Sequence, residues 1–64
     1  MNEQALLLML YTRHKSAGEA VVRVSLAKSV KLKDLTAIRL DLTEALAALT
    51  ELERRCVHGQ DQAK

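Results

Sequence analysis

The sequence predicts a mainly α-helical chain with one short β-strand, a single small domain over residues 1–58, and a homodimer as the working form. Three observations point there. Apolar residues crowd the first third of the 64-residue chain and recur at helical spacing in the last. A valine-rich stretch, AVVRVSLAKSVKL (Ala20–Leu32), interrupts them. A chain this short buries only about 60% of its unfolded surface and is marginal as a monomer. One cysteine excludes an internal disulfide framework, and two scattered histidines offer no metal-ligand spacing. Association with a second chain is the remaining remedy, and a composition 48% hydrophobic with one aromatic suits packed helices and short strands.

Taken in order, the first predicted element is a helix over residues 3–15. Asn2 is its candidate N-cap, Glu3 suits the first turn, and Arg13 and Lys15 suit the last. Leu6 to Leu10 are apolar on every face, so this helix is expected to be covered on more than one side. Ser16-Ala17-Gly18 is the expected break. The valine stretch reads two ways. As a strand it places Val22, Val24 and Leu26 on one face and Arg23, Ser25 and Ala27 on the other. As a helix it aligns Val22, Leu26 and Val30, and Ser16-Ala17-Gly18-Glu19 offers a capping box to start it. Three valines in four positions favour β, so residues 21–26 are predicted to be a strand.

A helix over about 29–39 should follow, with Leu32, Leu35 and Ile38 on one face. A tight corner at Leu40-Asp41 then leads to a helix over 42–56. Asp41-Leu42-Thr43-Glu44 has the capping-box form. Ala45, Leu49, Leu52 and Cys56 make an apolar stripe, Arg54 and Arg55 lie in the last turn, and Gly59 is the candidate C-cap. Residues 59–64 are expected to be a flexible tail. A lone six-residue strand needs a neighbour for its backbone groups; antiparallel pairing of the same strand from two chains supplies one and doubles the small core.

Charge is uneven along the chain. Thr12–Lys33 carries Arg13, Lys15, Arg23, Lys28, Lys31 and Lys33 against Glu19 alone, while the remainder turns acidic. A basic middle points to phosphate-bearing partners, with ordinary solvated lysines as the bland alternative.

Strand, helix, tight turn, helix, carried by VRVSLAKSV and LDLTEAL, resembles the ribbon-helix-helix family of bacterial transcription regulators (the MetJ/Arc group) over about Val21–Arg55. The resemblance implies a ribbon-helix-helix-like dimer with an extra N-terminal helix. It would be a sequence-specific double-stranded DNA-binding protein, a repressor reading the major groove with an intermolecular ribbon. Arg23 and Ser25 would then contact bases, with Val21 or Ala27 at the margins. Leu42 and Thr43 would hold phosphate at a helix N-terminus, with Lys28, Lys31 and Lys33 adding phosphate contacts.

Two rival readings stand beside it. In a winged helix-turn-helix, Val30–Leu32 would be a short strand and 42–56 the recognition helix, although its exposed positions Glu44, Ala47, Thr50 and Glu51 are not basic. In a helical interaction module (antitoxin, chaperone or adaptor), the basic middle is only a solvated face. An enzyme is not expected: Cys56 falls on an apolar stripe, and neither His14 nor His58 has a carboxylate or serine partner at useful spacing. Tyr11 reads as packing. No cofactor, no metal and no membrane partner is expected, and a toxin or co-regulator is a possible protein partner. The apolar run Ala5–Tyr11 is too short to span a bilayer, and with the lone thiol this suggests the cytoplasm.

Overall fold

Two long antiparallel helices make up the structure. The computed structural model describes the backbone of residues 1–63 and the side chains of residues 1–58. Helix α1 spans Glu3–Leu26 and helix α2 spans Leu32–Ala63, joined by residues 27–31. The Asn2 cap is borne out: its side chain accepts a 2.7 Å hydrogen bond from the Ala5 amide. At the other end Ala27 is extended and its amide donates to the Val24 carbonyl at 3.1 Å, closing α1. The Lys31 carbonyl accepts the amides of Asp34 and Leu35, opening α2. The reversal uses no residue with positive φ, so the loop needs no glycine.

The fold differs from the predicted one in three places. Residues 21–26 are the last turns of α1 and not a strand. No strand exists among the described residues, so neither an intermolecular ribbon nor the short strand of a winged helix is present. Ser16-Ala17-Gly18 is no break, because α1 runs straight through it. The corner at Leu40-Asp41 is also absent: the helices expected over 29–39 and 42–56 are one continuous helix. That helix runs past Gly59 to Ala63, while the side chains of 59–64, and with them the expected flexible tail, lie outside the described residues.

A shared seam explains all three differences. Leu6, Leu10, Arg13, Ala17, Ala20 and Val24 on α1 are spaced four, three, four, three, four. Asp34, Ile38, Asp41, Ala45, Ala48, Leu52 and Arg55 on α2 alternate four and three in the same way. This is the heptad spacing of two supercoiled helices, and every one of these residues is buried or half-buried. A valine costs only about 0.6 kcal/mol against alanine in a helix interior. A lone strand would leave a full row of backbone groups unpaired, whereas helix continuation pairs them and puts Ala20 and Val24 on the seam. Tertiary packing outweighs local propensity here.

The seam is thin. Among the described residues the buried apolar side chains are Leu6, Ala17, Ala45 and Ala48, three of them alanines. Small residues let two helices approach closely but take little apolar area out of water. The radius of gyration, 15.4 Å, exceeds the roughly 11 Å of a compact chain of this length. The hairpin is a rod with most of its apolar side chains on the outside.

Gly18 sits inside α1 with nothing within 4 Å of where a Cβ would be. Gly18→Ala is therefore expected to stabilise the fold by about 1 kcal/mol, a rise of roughly 4–8 °C in thermal midpoint for a domain of this size. Thermal unfolding followed by circular dichroism checks it; an unchanged or lower midpoint would mean that this face of α1 is already occupied.

Candidate assembly surfaces

Halfway along the rod the seam turns polar. The Ser16 hydroxyl donates to an Asp41 carboxylate oxygen at 2.7 Å. The Arg13 guanidinium lies 3.5 Å from the other Asp41 oxygen and 3.0 Å from Glu44. Asp41 is the most enclosed of the group, its side chain 15% exposed, while Arg13 reaches out to solvent at 42%. These are the contacts that tie α1 to α2 in one register. Asp41 is therefore not a helix cap; its carboxylate is spent across the seam. No buried side-chain polar atom among the described residues lacks a partner.

The two flanks of the rod differ in chemistry. One carries the residues that follow every second seam position by one, at seven-residue spacing: Leu7, His14 and Val21 on α1, and Leu35, Leu42, Leu49 and Cys56 on α2. In this stripe every member but His14 is uncharged and apolar in character, in a chain 28% charged. Leu7, Val21, Leu35, Leu42 and Leu49 all remain exposed. Leu35, Ile38, Arg39, Leu42, Thr43 and Leu46 line a shallow groove along α2. It continues around Val21, Val24 and Val30 toward the loop. The opposite flank bears Met9, Ser16 and Arg23 with Ala37, Glu44 and Glu51, and it holds the Arg13–Glu44 pair.

Nearer the end of α2, Glu51 accepts hydrogen bonds from both Arg54 and Arg55. The bond from Arg54, then that from Arg55, holds the Glu51 carboxyl well below its usual range, at about 2, and the same contact raises the Arg54 guanidinium. Spaced three and four residues apart along α2, these ions support the helix locally rather than joining it to α1.

The residues expected to contact DNA take other places. Arg23 is exposed on the charged flank, beside Ala20, Val24, Asp34 and Ala37. Ser25 turns inward to its own helix, its hydroxyl donating to the Val22 carbonyl at 2.7 Å. Leu42 and Thr43 lie in the interior of α2, so their amides are bonded within the helix and form no anion site. Lys28 and Lys31 are in the loop and Lys33 is in the first turn of α2; these three do come together with Arg23 at one end of the rod. The polar cluster of Arg13, Ser16, Asp41 and Glu44 was not anticipated from the sequence. The unbroken four-three spacing from Asp34 to Arg55 was the signal for it. Comparison with protein-family models, with curated proteins and with solved structures gave no match.

Two outcomes follow. Asp41→Ala leaves the Ser16 hydroxyl and part of the Arg13 charge without their cross-seam partner, and should cost about 1–3 kcal/mol; urea unfolding measures it, and a loss within a few tenths would make the cluster dispensable. The second concerns acid. Glu51 has a folded value below its unfolded one, so its contribution is complete above the ordinary carboxylate value of 4.5 and disappears as pH falls from there toward about 2. Glu51→Gln should flatten the part of the helicity–pH curve in that window, and an unaltered acid limb would show that other carboxylates govern it.

Proposed function

We propose that this protein is a helical interaction module whose partner is a second copy of itself, two hairpins joining by their apolar flanks into a four-helix bundle. The observation that carries the reading is the stripe Leu7, Val21, Leu35, Leu42, Leu49: a second heptad-spaced apolar row beside a seam already filled. Such a row has no use in a lone hairpin, and contiguous exposed apolar surface marks an interaction site. It is the pattern of a helix that packs against more than one neighbour.

The area supports the same reading. The hairpin exposes 5253 Å², where a compact monomer of this mass would expose roughly 4,100 Å². The surplus of about 1,100 Å² reflects the elongated shape of the rod, and side-to-side pairing, which removes ~800 Å² per partner in a standard protein interface, would reduce it. Covering the flank also compensates for the small apolar area buried in the alanine-rich seam, because the exposed half of each flank leucine leaves water, at about 25 cal/mol per Å².

The homodimer expected from the sequence is thus kept, by a different interface. A repressor reading DNA through a ribbon is not carried forward, since the element that would enter the groove is helical. Of the three earlier readings the interaction module is the one the flank favours.

Sedimentation equilibrium of the full chain tests the proposal. The wild type should run as a dimer at micromolar concentration, and Leu42→Glu with Leu49→Glu should run as a monomer that keeps most of its helicity. A monomeric wild type overturns self-assembly and would assign the flank to an amphipathic helix of a different protein. A double variant that still dimerises would place the interface elsewhere.

A further inference from the structure

The loop end of the rod combines two features that seldom share a surface. Leu26 is 82% exposed, Leu32 78% and Val30 61%, with Val22 beside them. Interleaved with these are Arg23, Lys28, Lys31 and Lys33, and no carboxylate occurs from Ala20 to Lys33. Among the described residues none of these four cations is in an ion pair. Of the acids that bound this stretch, Asp34 sits half-buried at the seam beside Ala20 and Val24, and Glu19 lies one turn before Arg23 on α1. Pairing of the flanks leaves Val22 and Leu26 uncovered, since both lie on the outer face of α1.

We propose that this tip is a docking surface for an anionic membrane: the four cations meet lipid headgroups while Leu26, Val30 and Leu32 enter the interfacial layer. Charge complementarity carries the first half. Cations clustered beside an anionic leaflet attract it within about a Debye length. The apolar side chains carry the second half and choose between lipid and nucleic acid. A duplex would neutralise the lysines and leave Leu26 and Leu32 in water, and the tip holds no aromatic side chain on which a base could stack. A bilayer interface takes both kinds of side chain, because apolar groups settle into the headgroup–acyl boundary as basic groups remain at the surface. No helix among the described residues is long and apolar enough to cross a membrane, so the contact is a tip resting on the surface. This replaces the expectation of no membrane partner, which rested on the lack of a span. The proposal concerns the end of the rod rather than its side, the two meeting around Lys28 and Val30 where the flank groove reaches the loop, and it does not depend on dimerisation.

Vesicle co-sedimentation of the full chain tests it, with phosphatidylcholine alone and with three parts phosphatidylcholine to one part phosphatidylserine. The wild type should bind the mixed vesicles, fail to bind the neutral ones, and weaken as salt is raised. Each cation near such a surface is worth about fivefold in affinity, so Lys28→Glu, Lys31→Glu and Lys33→Glu together should lose at least about 100-fold. Leu26→Ser alone, at a site too exposed to unfold the chain, should lose several-fold at unchanged charge. Leu42→Glu with Leu49→Glu should still bind vesicles per chain, which separates failure of this proposal from failure of the assembly reading. Three results overturn it: no binding to mixed vesicles, binding indifferent to Leu26→Ser, or tighter binding to duplex DNA at the same salt.

Discussion

The Arg13–Ser16–Asp41–Glu44 cluster is the constraint on which the rest of the rod depends. The apolar part of the seam is built largely from small alanines, so apolar packing alone discriminates weakly between one pairing of α1 with α2 and another slipped by three or four residues. A polar group at a seam position changes that. The observed register brings both Ser16 and Arg13 to Asp41 and satisfies both carboxylate oxygens; a slip toward Ala17 and Ala20 would leave it facing alanine. A single polar seam residue is a well-attested device for fixing the pairing of supercoiled helices, at some cost in stability. The alignment of Leu7 and Val21 with Leu35, Leu42 and Leu49 on one flank is a consequence of that register. So is the placing of Arg23 beside the loop lysines.

Register and stability come from different places in this molecule. The cluster specifies, yet its arginine is close to half-exposed and the pair with Glu44 is open to water, so its net contribution is modest. The seam stabilises only as far as three alanines, a few half-buried leucines and an isoleucine allow. Neither is a large source for a 64-residue chain, whose ordering entropy is on the order of 1.5 kcal/mol per residue. What remains is the row of leucines outside the hairpin. The shortage inside and the surplus outside are one fact seen from two sides: the residues that would have made a core for a monomer are placed where a second hairpin can reach them.

How much of this could be read from the sequence depended on which residues occupied the seam. Helix at 3–15 and 42–56 was visible because leucine and alanine mark it, and the start of α1 because Asn2 is a good cap. The continuity of α1 through Gly18 and the valines was hidden by local preference, since Val21, Val22 and Val24 favour extended chain when weighed alone and helix only once Ala20 and Val24 have α2 to pack on. The continuity of α2 was hidden for another reason. Asp41 followed by Thr43 and Glu44 is a sound capping box, and nothing local reveals that its carboxylate is taken by Ser16, twenty-five positions away. Absent proline, and with no glycine between Gly18 and Gly59, the chain contained no residue that would force either predicted break. Polar residues at seam positions, Arg13, Asp34, Asp41 and Arg55, disguised a spacing that is otherwise regular over both helices.

The basic middle of the chain was legible as charge, but its meaning changed with its geometry. On a strand, alternation would have set Arg23 and Ser25 on one face as a reading surface. On a helix the same residues part company: Arg23 joins the charged flank and Ser25 bonds to its own backbone. The lysines that follow are gathered instead by the loop, together with the most exposed leucines of the molecule. Two surfaces of different character therefore lie on one rod, a mainly apolar flank along its side and a tip at its end that is both cationic and apolar. Side-to-side pairing as proposed would cover the flank and leave Leu26 and Leu32 at the tip open, so assembly and surface attachment would meet only around Val30. Pairing with both loops at one end would set eight cations against one surface, and pairing with loops opposed would leave four at each end. The arrangement that binds vesicles more tightly as a dimer than as the Leu42→Glu, Leu49→Glu monomer is the parallel one.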